Sequence, residues 1–87
     1  MRIQKNAQAG TLQSSDLMVQ VEPAEQLIVE IESTVEQQFG HLIRHRVDAV
    51  LGRLGVQRVR IAISDRGALD YAIDARVETA LRRAAAD

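Results

Sequence analysis

Three groups of side chains in this 87-residue chain are of types that do chemistry. Ser14, Ser15 and Asp16 close a small, polar stretch that begins at Ala9. A hydroxyl beside a carboxylate could open a nucleophile site, but no histidine lies near in sequence, so the residues alone read as a Ser/Asp turn leading into a strand. His41 and His45 are four apart and Asp48 is three further on. On a helix that spacing puts all three on one face, the geometry of a two-histidine metal pair. Leu42-Ile43-Arg44 fills the gap, so the general-base glutamate of a metalloprotease helix is missing, and solvated histidines opposite an apolar stripe are the simpler reading. Arg44, Arg46, Arg53, Arg58, Arg60 and Arg66 form either a patch for phosphates and acidic surfaces or a solvated helix face plus the outward side of a strand. No glycine-rich phosphate loop is present: Gly52 and Gly55 flank the expected end of a helix.

Composition narrows the classes further. With 11 basic against 12 acidic residues the formal charge is -1, which argues against a general nucleic-acid binder. Residues 1–40 carry two basic and six acidic side chains, and residues 41–87 nine and six; halves of opposite sign attract within one fold or bias docking. No apolar run reaches the roughly 18 residues of a membrane span, and no signal-peptide block opens the chain. The absence of cysteine excludes disulfides, thiolate metal sites and a protein thiol nucleophile. Two aromatics, Phe39 and Tyr71, argue against base-stacking platforms. A soluble, cytoplasmic, single-domain protein spanning 1–87 is expected.

The elements that must position these residues emerge from periodicity. A weak early strand precedes the loop of residues 9–16, with Gly10 free to take unusual backbone angles. A variant extends that strand to Gln13 and makes Ser14-Ser15 the tip of a tight hairpin; both versions leave Ser14 at a turn. Leu17, Val19 and Val21 alternate with Met18, Gln20 and Glu22, and after a reversal at 23–26 Leu27, Val29 and Ile31 alternate again, predicting two strands, the second antiparallel. Ser33-Thr34-Val35-Glu36 matches a capping box. The stripe Val35, Phe39, Leu42, Ile43, Val47, Val50, Leu51, Leu54 before Gly55 predicts a helix over about 34–54. Val59, Ile61 and Ile63 predict a strand, with Ser64 or Asp65 as the cap of a second helix. Leu69, Ala72, Ile73, Val77, Ala80, Leu81 and Ala84 predict that helix over about 68–85, with a short strand at 69–73 as the alternative. The sum is an α+β domain, a small antiparallel sheet with two helices packed on one face.

Four stretches also carry a resemblance. Ala9-Gly10-Thr11-Leu12-Gln13-Ser14-Ser15-Asp16-Leu17-Met18, Ser33 to Gly40, Asp65-Arg66-Gly67-Ala68-Leu69-Asp70 and Ala75-Arg76-Val77-Glu78-Thr79-Ala80 resemble, in order, the citrate lyase acyl carrier protein (gamma subunit) family. The resemblance implies a non-catalytic carrier subunit whose Ser14 holds phosphoribosyl dephospho-coenzyme A through a phosphodiester, a phosphoprotein of citrate fermentation. It implies a prosthetic-group transferase and the citrate lyase alpha and beta subunits as partners, which exchange acetyl for citrate on the cofactor thiol and cleave the citryl thioester to oxaloacetate. No metal, nucleic acid or membrane enters that scheme. Asp16, Glu22 and the arginines of the second half are its candidate docking surfaces. Ser15 stands where the family often has glycine, Gln13 where glutamate is usual, and Tyr71 follows Asp70 where cysteine is frequent, a change read as one of packing. Competing readings are the malonate decarboxylase carrier subunit, a cofactor-free interaction module, and a metal-binding regulator on His41, His45 and Asp48.

Overall fold

The alternating segments become a four-stranded sheet, and the two apolar stripes become helices on one of its faces. In chain order the elements are β1 (Ala7–Gly10), β2 (Leu17–Glu22), β3 (Leu27–Ser33), α1 (Gly40–Leu54), β4 (Val59–Asp65) and α2 (Asp70–Ala85). The structure is a computed structural model and describes residues 1–33 and 40–86. Leu17, Val19 and Val21 of β2 and Val59, Ile61 and Ile63 of β4 are buried on the same face. They meet Val47, Val50 and Leu51 of α1 and Ile73, Val77, Ala80, Leu81 and Ala84 of α2 in one core. Each large side chain so buried contributes roughly 1.5–3 kcal/mol of transfer free energy. The opposite face carries Gln20, Glu22, Arg60, Glu30 and Glu32 and, among the described residues, no helix.

The strand order is β1-β2-β4-β3, and it corrects one expectation. β3 does run opposite to β2, but β4 lies between them and β3 pairs with β4 in parallel, Val29 opposite Ile61 and Ile31 opposite Ile63. The sheet is therefore mixed. The physical reason is the length of the connections: four residues from β2 to β3 suffice to step over one strand at ~4.8 Å spacing, whereas the helical crossover from β3 to β4 is what a parallel pair requires. As an edge strand, β3 leaves Leu27 and Ile28 exposed.

Helix ends obey local chemistry where they are described. Gly55 takes φ +69, while Val56 N donates to Leu51 O at 2.9 Å and Gly55 N to Gly52 O at 3.3 Å, the paired bonds of a Schellman stop. Ser33, expected as a cap, is the last residue of β3, and its hydroxyl donates to Asp65. The remainder of that capping box, with Val35 and Phe39 of the expected stripe, lies outside the described residues. α2 opens two residues later than expected, its N-cap Leu69 exposed and making no side-chain cap bond. Residues 70–73 are helical, so the alternative strand at 69–73 is not formed.

Candidate functional site

Ser14 sits at the tip of the β1–β2 hairpin, as the variant reading expected, although β1 ends at Gly10 and not at Gln13. Asp16 N donates to Gln13 O at 3.2 Å, closing a four-residue turn in which Ser14 and Ser15 are the central pair. Ser15 has φ 64, the left-handed region that disfavours any residue with a Cβ. Both serines are exposed. Among the described residues the Ser14 hydroxyl has no hydrogen-bond partner, and none of their side chains is placed to activate it as a nucleophile.

The backbone beneath that hydroxyl is held from three directions. Thr11 N donates to Leu17 O at 3.0 Å across the hairpin. Ser15 N donates to Arg66 O and Arg66 N to Asp16 O, each at 2.8 Å, which continues the β2–β4 ladder past its last pair, Leu17 and Asp65. Gly10, φ +100, approaches Leu17 O so closely that a Cβ placed there would lie 1.9 Å from it, hence glycine. The Asp16 carboxylate is the hub. It accepts from Thr11 Oγ1 at 2.7 Å and Leu17 N at 2.8 Å, and from Arg76 on α2 through Nε at 3.2 Å and Nη2 at 3.0 Å. The Arg76 fork, with Thr11 helping, holds the carboxyl down to about 2 from an ordinary 3.8.

A second carboxylate supports the neighbouring loop. Asp65, 2% exposed, accepts from Ser33 Oγ at 2.8 Å, Gly67 N at 3.1 Å and Ala68 N at 3.0 Å. It therefore shapes the turn before α2 rather than capping the helix, and that turn presents Arg66 to the hairpin. A cleft of ≈ 200 Å³ lined by Leu42, Ile43, Asp65, Ala68 and Ile73 opens beside it.

Residues 4–84 match the acyl carrier family described as malonate decarboxylase delta subunit (MdcD). A citrate lyase acyl carrier protein of Haemophilus influenzae (strain PittEE) is 48% identical over 84 residues, 97% of this chain and 88% of that protein. One from Albidiferax ferrireducens is 48% identical over 89 residues, covering 100% and 91%. The chain belongs to the citrate lyase acyl carrier protein family. Its fold is also that of a chain in the crystal structure of a Pseudomonas malonate decarboxylase hetero-tetramer in complex with malonate, with TM-score 0.73 at 22% identity over 93% of this chain and 84% of that one.

Within this acyl carrier, the other candidates are dispersed. His41, His45 and Asp48 lie on the exposed side of α1, Asp48 is bonded by Arg44 at 3.0 Å, and no cluster of three metal-ligating residues occurs among the described residues. Arg46 pairs with Asp74, Arg53 with Glu78, Arg60 with Glu22 and Glu30, and Arg66 with Glu32, so most of the arginine patch is already matched with acids. Glu22 is not beside the Ser14 loop but at the far end of β2, and Asp16 is engaged by Arg76. Tyr71 is 72% exposed, so its departure from the family pattern is not one of packing. Arg76 was the residue sequence reasoning missed: it stands in a resembled motif, but nothing in a 60-residue separation shows that it meets Asp16. No described helix is long and apolar enough to cross a membrane.

Proposed function

We propose that Ser14 is the covalent attachment point of phosphoribosyl dephospho-coenzyme A, and that the chain, one acyl carrier domain over 1–87, serves as the non-catalytic carrier of a cytoplasmic citrate lyase. The observation that carries the reading is the Ser14 hydroxyl: solvent-facing, without a hydrogen-bond partner among the described residues, and set on a turn whose backbone is fixed. The group fits the donor set of this chain. With no cysteine present, the thiol for acyl thioesters is what the cofactor supplies when bound. Ser14 provides the oxygen of the phosphodiester and an open approach to it, and the general base that removes its proton belongs to the transferase.

A carrier of this design delivers its acyl group to several active sites at a tethered concentration of roughly millimolar. The citrate lyase alpha and beta subunits are the partners this assigns. Relatives at 46–48% identity bear the citrate lyase name, which favours that complex over malonate decarboxylase. The test is intact mass after co-expression with the attachment enzymes. Added mass is expected in the wild-type chain and in Ser15→Ala and none in Ser14→Ala; mass retained in Ser14→Ala overturns the assignment.

A further inference from the structure

We propose that the Asp16–Arg76 pair is a positioning clamp, joining the hairpin tip to α2 so that the Ser14 hydroxyl is presented in one fixed direction to the enzyme that modifies it. The inference rests on Ser14 being the modified residue and names the groups that make it a competent acceptor.

Because the Ser14 side chain has no bond of its own among the described residues, only the turn backbone decides where its oxygen points. That backbone is not self-sufficient. It places Ser15 in the left-handed region at φ 64, a conformation that is unfavourable for a non-glycine residue and persists only where its surroundings impose it. Asp16 supplies that imposition by committing both carboxylate oxygens to it. Oδ2 takes Thr11 Oγ1, whose oxygen in turn accepts Gln13 N at 3.2 Å, and Oδ1 takes Leu17 N, so both arms of the hairpin are fastened to one side chain. Arg76 then fixes the carboxylate itself with a two-pronged contact.

Its setting separates this pair from the others. Asp16 has the least exposed carboxylate of the ion pairs among the described residues, 17%. Arg44–Asp48 and Arg82–Glu78 are exposed neighbours on single helices, a type that solvent screens and that fixes little. The functional argument is one of distance. The thiol at the tip of a flexible arm is insensitive to small tilts of the turn, whereas an enzyme that bonds to the Ser14 oxygen needs that atom in place, and a displacement of about 1 Å can cost about 10²-fold in rate.

Loading of the full-length chain by its purified transferase, followed by intact mass at varied carrier concentration, tests this. Asp16→Asn, which keeps the shape of the side chain, and Arg76→Ala are each expected to lower kcat at least tenfold with KM within twofold, and Arg76→Lys to recover part of the loss. The double variant should be no worse than the poorer single. A purely structural role predicts a different signature, because a partly unfolded carrier is only a scarcer substrate, raising the apparent KM and sparing kcat. Glu30→Gln, which breaks a pair on the open sheet face, should load like wild type. The proposal is overturned if kcat stays within twofold in Asp16→Asn and Arg76→Ala, or if their losses multiply in the double variant. Ser14→Ala in the same assay keeps the two readings apart: loading that survives it overturns the attachment site and the clamp with it, whereas loading lost in Ser14→Ala but unimpaired in Asp16→Asn and Arg76→Ala overturns the clamp alone.

Discussion

The two short connections that flank β2 are built to opposite standards. Residues 11–16 at one end are tied across the hairpin, to Arg66 and, through Asp16, to α2. Residues 23–26 at the other end step over β4 to reach β3 and are tied by a backbone bond from Val59 N to Gln26 O at 3.2 Å. They border an open groove of ≈ 570 Å³ shared with Met1, Arg2 and Arg58. One connection merely spans; the other offers a hydroxyl to solvent while allowing its backbone little freedom. Exposure of a side chain and rigidity of the chain beneath it are separate properties, and a site that must be reached by another enzyme has use for both.

The sharpest way to break the hairpin end is Gly10→Ala. With Leu17 O in the way and φ +100, it should cost about 2–4 kcal/mol in urea unfolding. Asp65→Ala comes next, at about 2–3 kcal/mol, because it strands the amides of Gly67 and Ala68; amide exchange at Ser15 should quicken in step. The Asp16 contribution is smaller and pH-dependent. Its folded carboxyl titrates at about 2, below 3.8, so the stabilisation is fully present above pH 4 and is lost as pH falls from about 4 to about 2. Comparing acid unfolding of wild type with Asp16→Asn should isolate about 1–2 kcal/mol, allowing for the solvent around Arg76. The smallest effect is a gain away from either connection. A Cβ on Gly52 of α1 meets nothing within 4 Å, so Gly52→Ala should stabilise by about 0.5–1 kcal/mol in the same urea titration.

Local patterns carried most of the fold. Alternation placed Leu17, Val19 and Val21 and Val59, Ile61 and Ile63 in the core, where all six are buried, because a period of two has one physical meaning on a half-covered sheet. Which strand lies beside which is a different question, and alternation is silent on it. The reversal at 23–26 suggested a further antiparallel strand in an antiparallel sheet, yet the strand–helix–strand order of 27–63 was the better guide to pairing, since parallel neighbours need such a crossover. Arg60, facing Glu22 on one side and Glu30 on the other, is the charge pattern that marks β4 as the strand between. At the site, the hairpin tip was legible from small polar residues and Gly10. The Asp16–Arg76 contact was not, because it exists only once α2 has docked. Leu42 and Leu69 satisfied the helical spacing and are nonetheless 51% and 59% exposed, one near the start of α1 and the other just ahead of α2, where a stripe runs out past the edge of the core.

Placing β4 at the centre of the sheet has a consequence for biosynthesis. During translation the first three strands emerge with no ladder joining β2 to β3, and both keep naked edges until residues 59–65 leave the ribosome. At ~5–20 residues per second, that interval lasts seconds, in which a nascent chain exposes two sticky borders. A polypeptide truncated just short of β4 would be expected to clump rather than settle into a smaller fold.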